Sequence, residues 1–539
     1  MSVSRRFACV ALLAAGFLAC NASFAQTTSA QAPRLIQKDG RYAFLVDGKP
    51  FLMLGGQIHN SSAWPSELPQ VWKSMAELNA NTVEAPVYWE QMEPAEGKFD
   101  FTNVDAVVLG AREHNLRVVL LWFGTWKNGN NHYAPTWVKT DDKRFPRVIR
   151  PDGTPIDVLS PLGRETLAAD KTAFAALMRH LKEIDSGAHT VIAVQVENES
   201  GNVGSVRDNS PEANKLFDGP VPAEMLAAAH KQPGTWKQVF AGDADEMFQV
   251  YYQARYINAV AEAGKAAFDI PCYVNVWIDY PAAQLPQRQV PLPGIGYPSG
   301  GPVQKVVGLW RTLAPALDMI GPDIYSDDSG FYYATMKAYN RPDNPLWIPE
   351  TGRSDGFAKF FFAALGEGAL GFSPFGVDGT GWNILGNDAW TYHARNFALV
   401  GPMDREIAQL EFEGKVKTAV EEPGQSTQEV DFGDWQATVS FGFPQPDGRR
   451  APGTKDFHGV ALIAQLGPDK FLVTGIDASI VFHLPGQPAW IHSQILTAEQ
   501  GSYESGAWKV SRLWNGDETD RGLCFHEKPE YVHVTMQKF

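Results

Sequence analysis

Basic residues are in short supply in this chain, with 46 Lys and Arg against 61 Asp and Glu and a net charge of −15 over 539 residues. A deficit of that size argues against a nucleic-acid backbone or an anionic membrane surface as partner, because both are held by clustered cations. Cysteine is scarcer still. Of four Cys, Cys9 and Cys20 lie in the first twenty residues, and the remaining Cys272 and Cys524 allow at most one bridge, which excludes a disulfide-built scaffold. No apolar run after the N-terminus reaches the roughly 18 residues of a membrane span. The twelve His show no His-Glu-x-x-His or similar spacing, so no catalytic metal and no cofactor is expected. Fixed-period repeats and low-complexity tracts are also missing. A neutral small substrate fits what remains.

Aromatic residues, by contrast, are abundant: 12% of the chain, with sixteen Trp. Several fall near the ends of expected strands, where indoles can stack on the apolar faces of sugar rings, although others will be core. The N-terminus reads Arg5-Arg6, an apolar run from Phe7 to Ala19, and small residues at Ser23 and Ala25. That order of charged, apolar and small residues is a secretory signal over residues 1–25, which predicts a periplasmic or secreted protein. Cys20 is a weaker candidate for lipid attachment, because Phe17 stands where such sites usually have Leu.

Residues 26–49 predict an extension and a hairpin turning at Asp39-Gly40 and Asp47-Gly48. From there to about residue 410 the chain alternates apolar strands with helical periodicity. Strands are expected at 51–59, 82–89, 116–126, in the first part of 191–201, and at 271–277, 317–325, 345–352 and 369–376. Between them, Val104, Val107, Val108 and Ala111 trace one helix face, and Phe174, Leu177, Met178 and Leu181 another. Eight such units predict a (β/α)8 TIM barrel over 50–410, with a doubly wound open sheet as the alternative. Two loops, 201–242 and 281–302, are longer than connections usually are, and their Trp236, Phe240 and Tyr297 are either cleft walls or small local cores. Beyond residue 410, alternating runs such as Trp435–Phe441 and Lys470–Thr474 predict an all-β sandwich domain over 411–539.

A barrel gathers the C-terminal ends of its strands around one cleft, so acids at those ends are the candidate chemistry. The fourth strand, Val191-Ile-Ala-Val-Gln-Val, runs into Glu197-Asn198-Glu199. The seventh ends at Glu350. Two carboxyls facing each other over a neutral substrate are the minimal equipment for glycoside hydrolysis, one as proton donor and one as nucleophile or base. Glu197 alternates with Glu199 and is expected on the same side as a support. Glu84, Glu90, Glu93, Asp279, Asp323 and Asp378 also lie near strand ends and are expected to be scaffold.

Gly48-Lys-Pro50, Gly56-Gln-Ile-His59, Asn81-Thr-Val-Glu84, Glu93-Pro-Ala-Glu-Gly-Lys-Phe-Asp-Phe101 and Gln195-Val-Glu-Asn-Glu-Ser-Gly201 together resemble the glycoside hydrolase family 35 β-galactosidases. The resemblance implies a retaining barrel glycosidase with Glu199 as acid/base, Glu350 as nucleophile, Tyr325 as the hydrogen-bond donor to Glu350, and Asn198 as the clamp on the sugar 2-hydroxyl. This chain departs from the family where the glycone sits. Asn60 follows His59 where Tyr is usual, and the third strand ends Phe123-Gly-Thr-Trp126-Lys-Asn128. Asn60, Trp126, Asn128 and, after the eighth strand, Trp382 are the expected substitutes in the sugar pocket. The expected activity is release of terminal β-galactosyl residues from oligosaccharides or polysaccharide side chains. An endo-acting β-glycanase of the same clan and a non-catalytic carbohydrate-binding protein are the alternatives.

Overall fold

A computed structural model of the chain describes residues 31–281, 290–380, 390–442, 458–486, 492–504, 506–526 and 528–539. Residues 1–25, expected as a secretory signal, and with them Cys20, as well as Trp382, lie outside them.

Eight parallel strands close into a barrel: Met53–Gln57, Thr82–Tyr88, Arg117–Lys127, Val191–Asn198, Cys272–Trp277, Met319–Ile324, Ile348–Thr351 and Gly371–Pro374. The last pairs with the first, Gly371 opposite Met53, so no edge is left open and the doubly wound alternative is excluded. Strand two is buried along its whole length, as is strand four. Side chains on both faces are covered because the interior is packed and the exterior carries helices, which is why these strands read as apolar runs without alternation. Helices Thr102–Glu113 and Arg164–Asp185 bury the faces that their periodicity marks, with Val104, Val107, Val108 and Ala111 inside on one and Phe174, Leu177, Met178 and Leu181 on the other.

The long stretch after strand four is not a bare loop. It folds into three short helices, Pro211–Phe217, Ala223–Ala229 and Trp236–Phe240. Trp236 is fully buried against Phe248 and Phe240, while the Tyr297 hydroxyl donates to Glu246 at 2.9 Å. These aromatics are the local cores that hold the insertions to the barrel. They are not cleft walls.

After helix Asp404–Phe412, a six-stranded and a four-stranded antiparallel sheet form a sandwich. Strand Val460–Gly467 explains how it is attached. Val460, Leu462 and Ala464 join the barrel's apolar cluster, whereas Ala461 and Ile463 point the other way into a core with Trp435, Phe471 and Phe482. The period of two along one strand therefore glues the sandwich to the barrel with one face and closes its own core with the other. Among the described residues, no helix is long and apolar enough to cross a membrane. Cys272 and Cys524 are both free thiols.

Candidate active site

The strands' C-terminal ends converge on three carboxyls. One oxygen each of Glu199, Asp323 and Glu350 lies within 4.8 Å of the other two, and all three residues are buried. Asp323 and Glu350 are register neighbours on strands six and seven, so their closeness follows from the pairing of the sheet.

Glu350 is held at both oxygens. Gln57, the last residue of strand one, donates to Oε2 at 2.7 Å, and the Tyr325 hydroxyl donates to Oε1 at 2.5 Å. Two donors on one carboxyl leave it little freedom to turn. Tyr325 keeps part of its ring open to solvent, yet its hydroxyl is sunk against the carboxylate. Burial and the Glu350 charge push the phenol well above its usual range, so it stays a donor.

Glu199 sits where strand four ends. Its backbone N–H donates to Asn275 Oδ1 at 2.8 Å, and its own φ of +43° turns the chain out of the extended run. Burial first, and the Glu350 charge second, push its carboxyl up to about 7, with Lys127 opposing them. Near neutrality it is therefore available as an acid. Asn198 is fully buried beside it, in amide contact with Gln195, Asn275 and Asn128 at 3.1–3.2 Å. Asn128 is thus brought to the site, and so is its neighbour Lys127, whose ammonium donates to Asn128 Oδ1 at 2.6 Å.

Other expectations fail for physical reasons. Glu197 does not share a side with Glu199. Its φ of +64° interrupts the alternation and turns the carboxyl outward, toward Asp170 of the helix layer, where Oε2 accepts from Trp126 N at 2.7 Å. Asp170 in turn accepts from Trp122, Thr125 and Tyr256 at 2.9, 2.7 and 3.2 Å. Burial raises both carboxyls, and the Asp170 charge raises Glu197 further, so the pair holds a proton. It braces the strand end from behind. Trp126 is likewise no sugar contact. It has no exposed surface, its indole N–H donates to Leu159 O at 3.2 Å, and its ring packs edge-on to Tyr256.

Asn60 opens elsewhere on the rim, into a cavity of about 500 Å³ that it lines with His59, the exposed Trp64 and Tyr133. Beneath it, His59 Nδ1 lies 2.6 Å from Asp378. Gln57, Lys127 and Asn275 are site residues that a reading of strand-end acids misses. Each is a lone polar residue in or at the end of an apolar strand, and that interruption was the available signal. The three carboxyl oxygens converge as cation ligands would, but Gln57 and Tyr325 donate to Glu350 and Asn275 donates to Asp323, and we assign no metal.

One layer down, Glu84 is register partner to Gln57 and fully buried in the barrel. Burial pushes its carboxyl up to about 8 from an ordinary 4.5. The folded state then holds a proton that the unfolded chain releases, so stability is lost as pH rises from about 4.5 toward 8. Glu84→Gln should remove that loss, which for one carboxyl runs at about 1.4 kcal/mol per pH unit. Denaturant midpoints across this range check it, and parallel profiles for the two proteins would contradict it.

Fold and site define a (β/α)8 barrel with paired carboxyls on strands four and seven, the arrangement of a barrel glycosidase. Comparison with known families agrees. Residues 43–145 match the model for glycosyl hydrolases family 35, as the motifs in the first barrel strands led us to expect, and residues 393–526 match a domain of unknown function, DUF5597. The chain is 28% identical over 238 residues to a beta-galactosidase of Xanthomonas manihotis, covering 36% of this chain and 35% of that one. It is 31% identical over 188 residues to the human beta-galactosidase-1-like protein 3, covering 33% and 26%. The matches thus span about a third or less of these relatives' own length. A looser structural likeness, with a TM-score of 0.47 and 13% identity over 66% of this chain and 57% of the other, is to a beta-galactosidase from Bacillus circulans sp. alkalophilus.

Proposed function

We propose that the chain is an exported, retaining exo-β-galactosidase that removes terminal β-galactosyl residues from oligosaccharides or polysaccharide side chains. The observation that carries this is the close pairing of Glu199 with Glu350, one oxygen of each lying within 4.8 Å of the other. Retaining glycosidases need their two carboxyls about 5–5.5 Å apart, whereas inverting ones leave about 6.5–9.5 Å for a water.

Glu350, held by Gln57 and Tyr325, attacks the anomeric carbon. Glu199 gives its proton to the departing oxygen as that bond breaks. The product of this step is a glycosyl ester on Glu350, which no longer carries charge, so the main electrostatic cause that keeps Glu199 protonated is gone and it can take a proton from the attacking water. Asn198, fixed by its amide neighbours, is set to bind the sugar 2-hydroxyl, a contact that strengthens in the transition state. The relatives named β-galactosidases support galactose as the glycone, and the signal-like residues 1–25 support export.

A panel of aryl β-galactoside, β-glucoside and β-mannoside tests the reading. Hydrolysis with highest kcat/KM on the galactoside is expected; a wild type inactive on the whole panel would sink it.

A further inference from the structure

Asp323 has no part in the two-carboxyl scheme, yet it stands inside it. It is 1% exposed, and its Oδ1 is buried without an N–H or O–H donor from any described residue. Its Oδ2 accepts from Asn275 Nδ2 at 2.7 Å. The same Asn275 takes the Glu199 backbone N–H through Oδ1, so one amide locks the two acids together. Two buried carboxyls in contact repel unless a proton lies between them.

We propose that Asp323 and Glu199 hold one proton in common, and that Asp323 is a positioning residue which keeps that proton available to Glu199. The inference rests on the glycosidase reading above.

The charge count through the cycle is consistent with this, the repulsion within the doubly charged pair being offset by the loss of the Glu350 charge. With Glu350 ionised and one proton on the pair, the three carboxyls carry two negative charges. Glu199 then passes the shared proton to the leaving oxygen, whose electron pair comes from the breaking glycosidic bond, while a Glu350 oxygen forms the new bond to the anomeric carbon. The pair now carries both negative charges and Glu350, as an ester, none. The total is unchanged. When water attacks, its proton returns to the pair, the ester bond breaks and its electron pair restores the Glu350 carboxylate. A fixed site charge avoids the cost of gaining or losing net charge in a low-dielectric barrel.

The other charged and titratable groups facing the pair are Lys127 from strand three, Glu350 from strand seven, Tyr273 from strand five, Tyr280 beyond it, Tyr325 just after strand six, and Tyr339 from helix Ser329–Tyr339. The four tyrosines are all pushed upward by burial and remain neutral donors, so Lys127 and Glu350 are the charges against which the pair titrates. Burial first, then the Glu350 and Glu199 charges, raise Asp323 well above the usual carboxyl range.

The test is kcat/KM against pH for wild type, Asp323→Asn and Asn275→Ala on an aryl β-galactoside. Asn at 323 keeps both hydrogen-bonding positions but removes the second acid, so the alkaline limb should fall by about one pH unit or more. Losing the Asn275 donor destabilises the charged pair, so there the limb should rise. Limbs that stay in place, with activity lowered by the same factor at every pH, would overturn the proposal and leave a structural role. Infrared difference spectra of wild type minus Asp323→Asn give a readout besides activity. A protonated-carboxyl band at neutral pH is expected, and a flat difference spectrum also overturns the idea. A wild type that hydrolyses no glycoside defeats the functional reading, while the spectra still decide the proton.

Discussion

In Glu350→Gln, kcat is expected to fall by at least about 10⁴-fold, the scale of losing a covalent nucleophile when the rest of the site stays intact. The substitution is nearly isosteric. Gln keeps an acceptor for Tyr325 and loses the charge, the nucleophilic oxygen and the second acceptor, which the Gln57 amide accommodates by turning its own oxygen toward the new NH2, so KM should change little. Glu350→Gly opens space instead, and azide should restore turnover there by attacking the anomeric carbon from the vacated side, releasing a glycosyl azide of inverted configuration. Steady-state kinetics and product stereochemistry check both statements. A Glu350→Gln enzyme within tenfold of wild type would remove the residue from the mechanism.

Glu199→Gln is the second large effect, and its size depends on the substrate. A general acid is worth about 10²–10⁴-fold, but only where the leaving group needs a proton. For an alkyl or sugar leaving group the full loss is expected. For a nitrophenyl group, which departs without help, bond cleavage should persist and the ester on Glu350 should accumulate, because Glu199 is also the base for the second step. A burst followed by a slow steady rate, relieved by azide, is the expected trace. In wild type the acid form is the active one, and Glu199 is raised to about 7. Accordingly kcat/KM should hold below that pH and decline above it, and this decline should be missing from the residual activity of Glu199→Gln. Equal losses on activated and unactivated substrates would argue against the acid role.

The barrel was legible because its strands are covered on both faces and therefore stand out as apolar runs, each followed by a helix of period 3.6. Glu199 and Glu350 were legible for a related reason, since acids at the C-terminal ends of such runs are offered to the barrel's mouth, although Glu197 shows that position in the run does not by itself decide the side. Asp323 looked like one more strand-end acid, and only the register of strands six and seven sets it beside Glu350. Lys127 and Asn275 depend on barrel closure in the same way. Trp126 was misplaced because strand three bulges between Trp122 and Lys127, which carries the ring into the core. Glu197 was misplaced by one backbone dihedral, the φ of +64° that ends the alternation on which the expectation rested. Closure, bulges and left-handed residues are set by the whole fold, and a local pattern of residue types does not carry them.

Trapping the covalent intermediate tests the central assignment most directly. Incubation with a 2-deoxy-2-fluoro-β-galactosyl donor bearing a good leaving group slows the second step more than the first, and proteolysis with mass spectrometry then locates the sugar. One fluorogalactosyl unit on the peptide containing Glu350, with activity lost in proportion, is the predicted result. A label on Glu199 or Asp323, or an active enzyme that never acquires one, would contradict it.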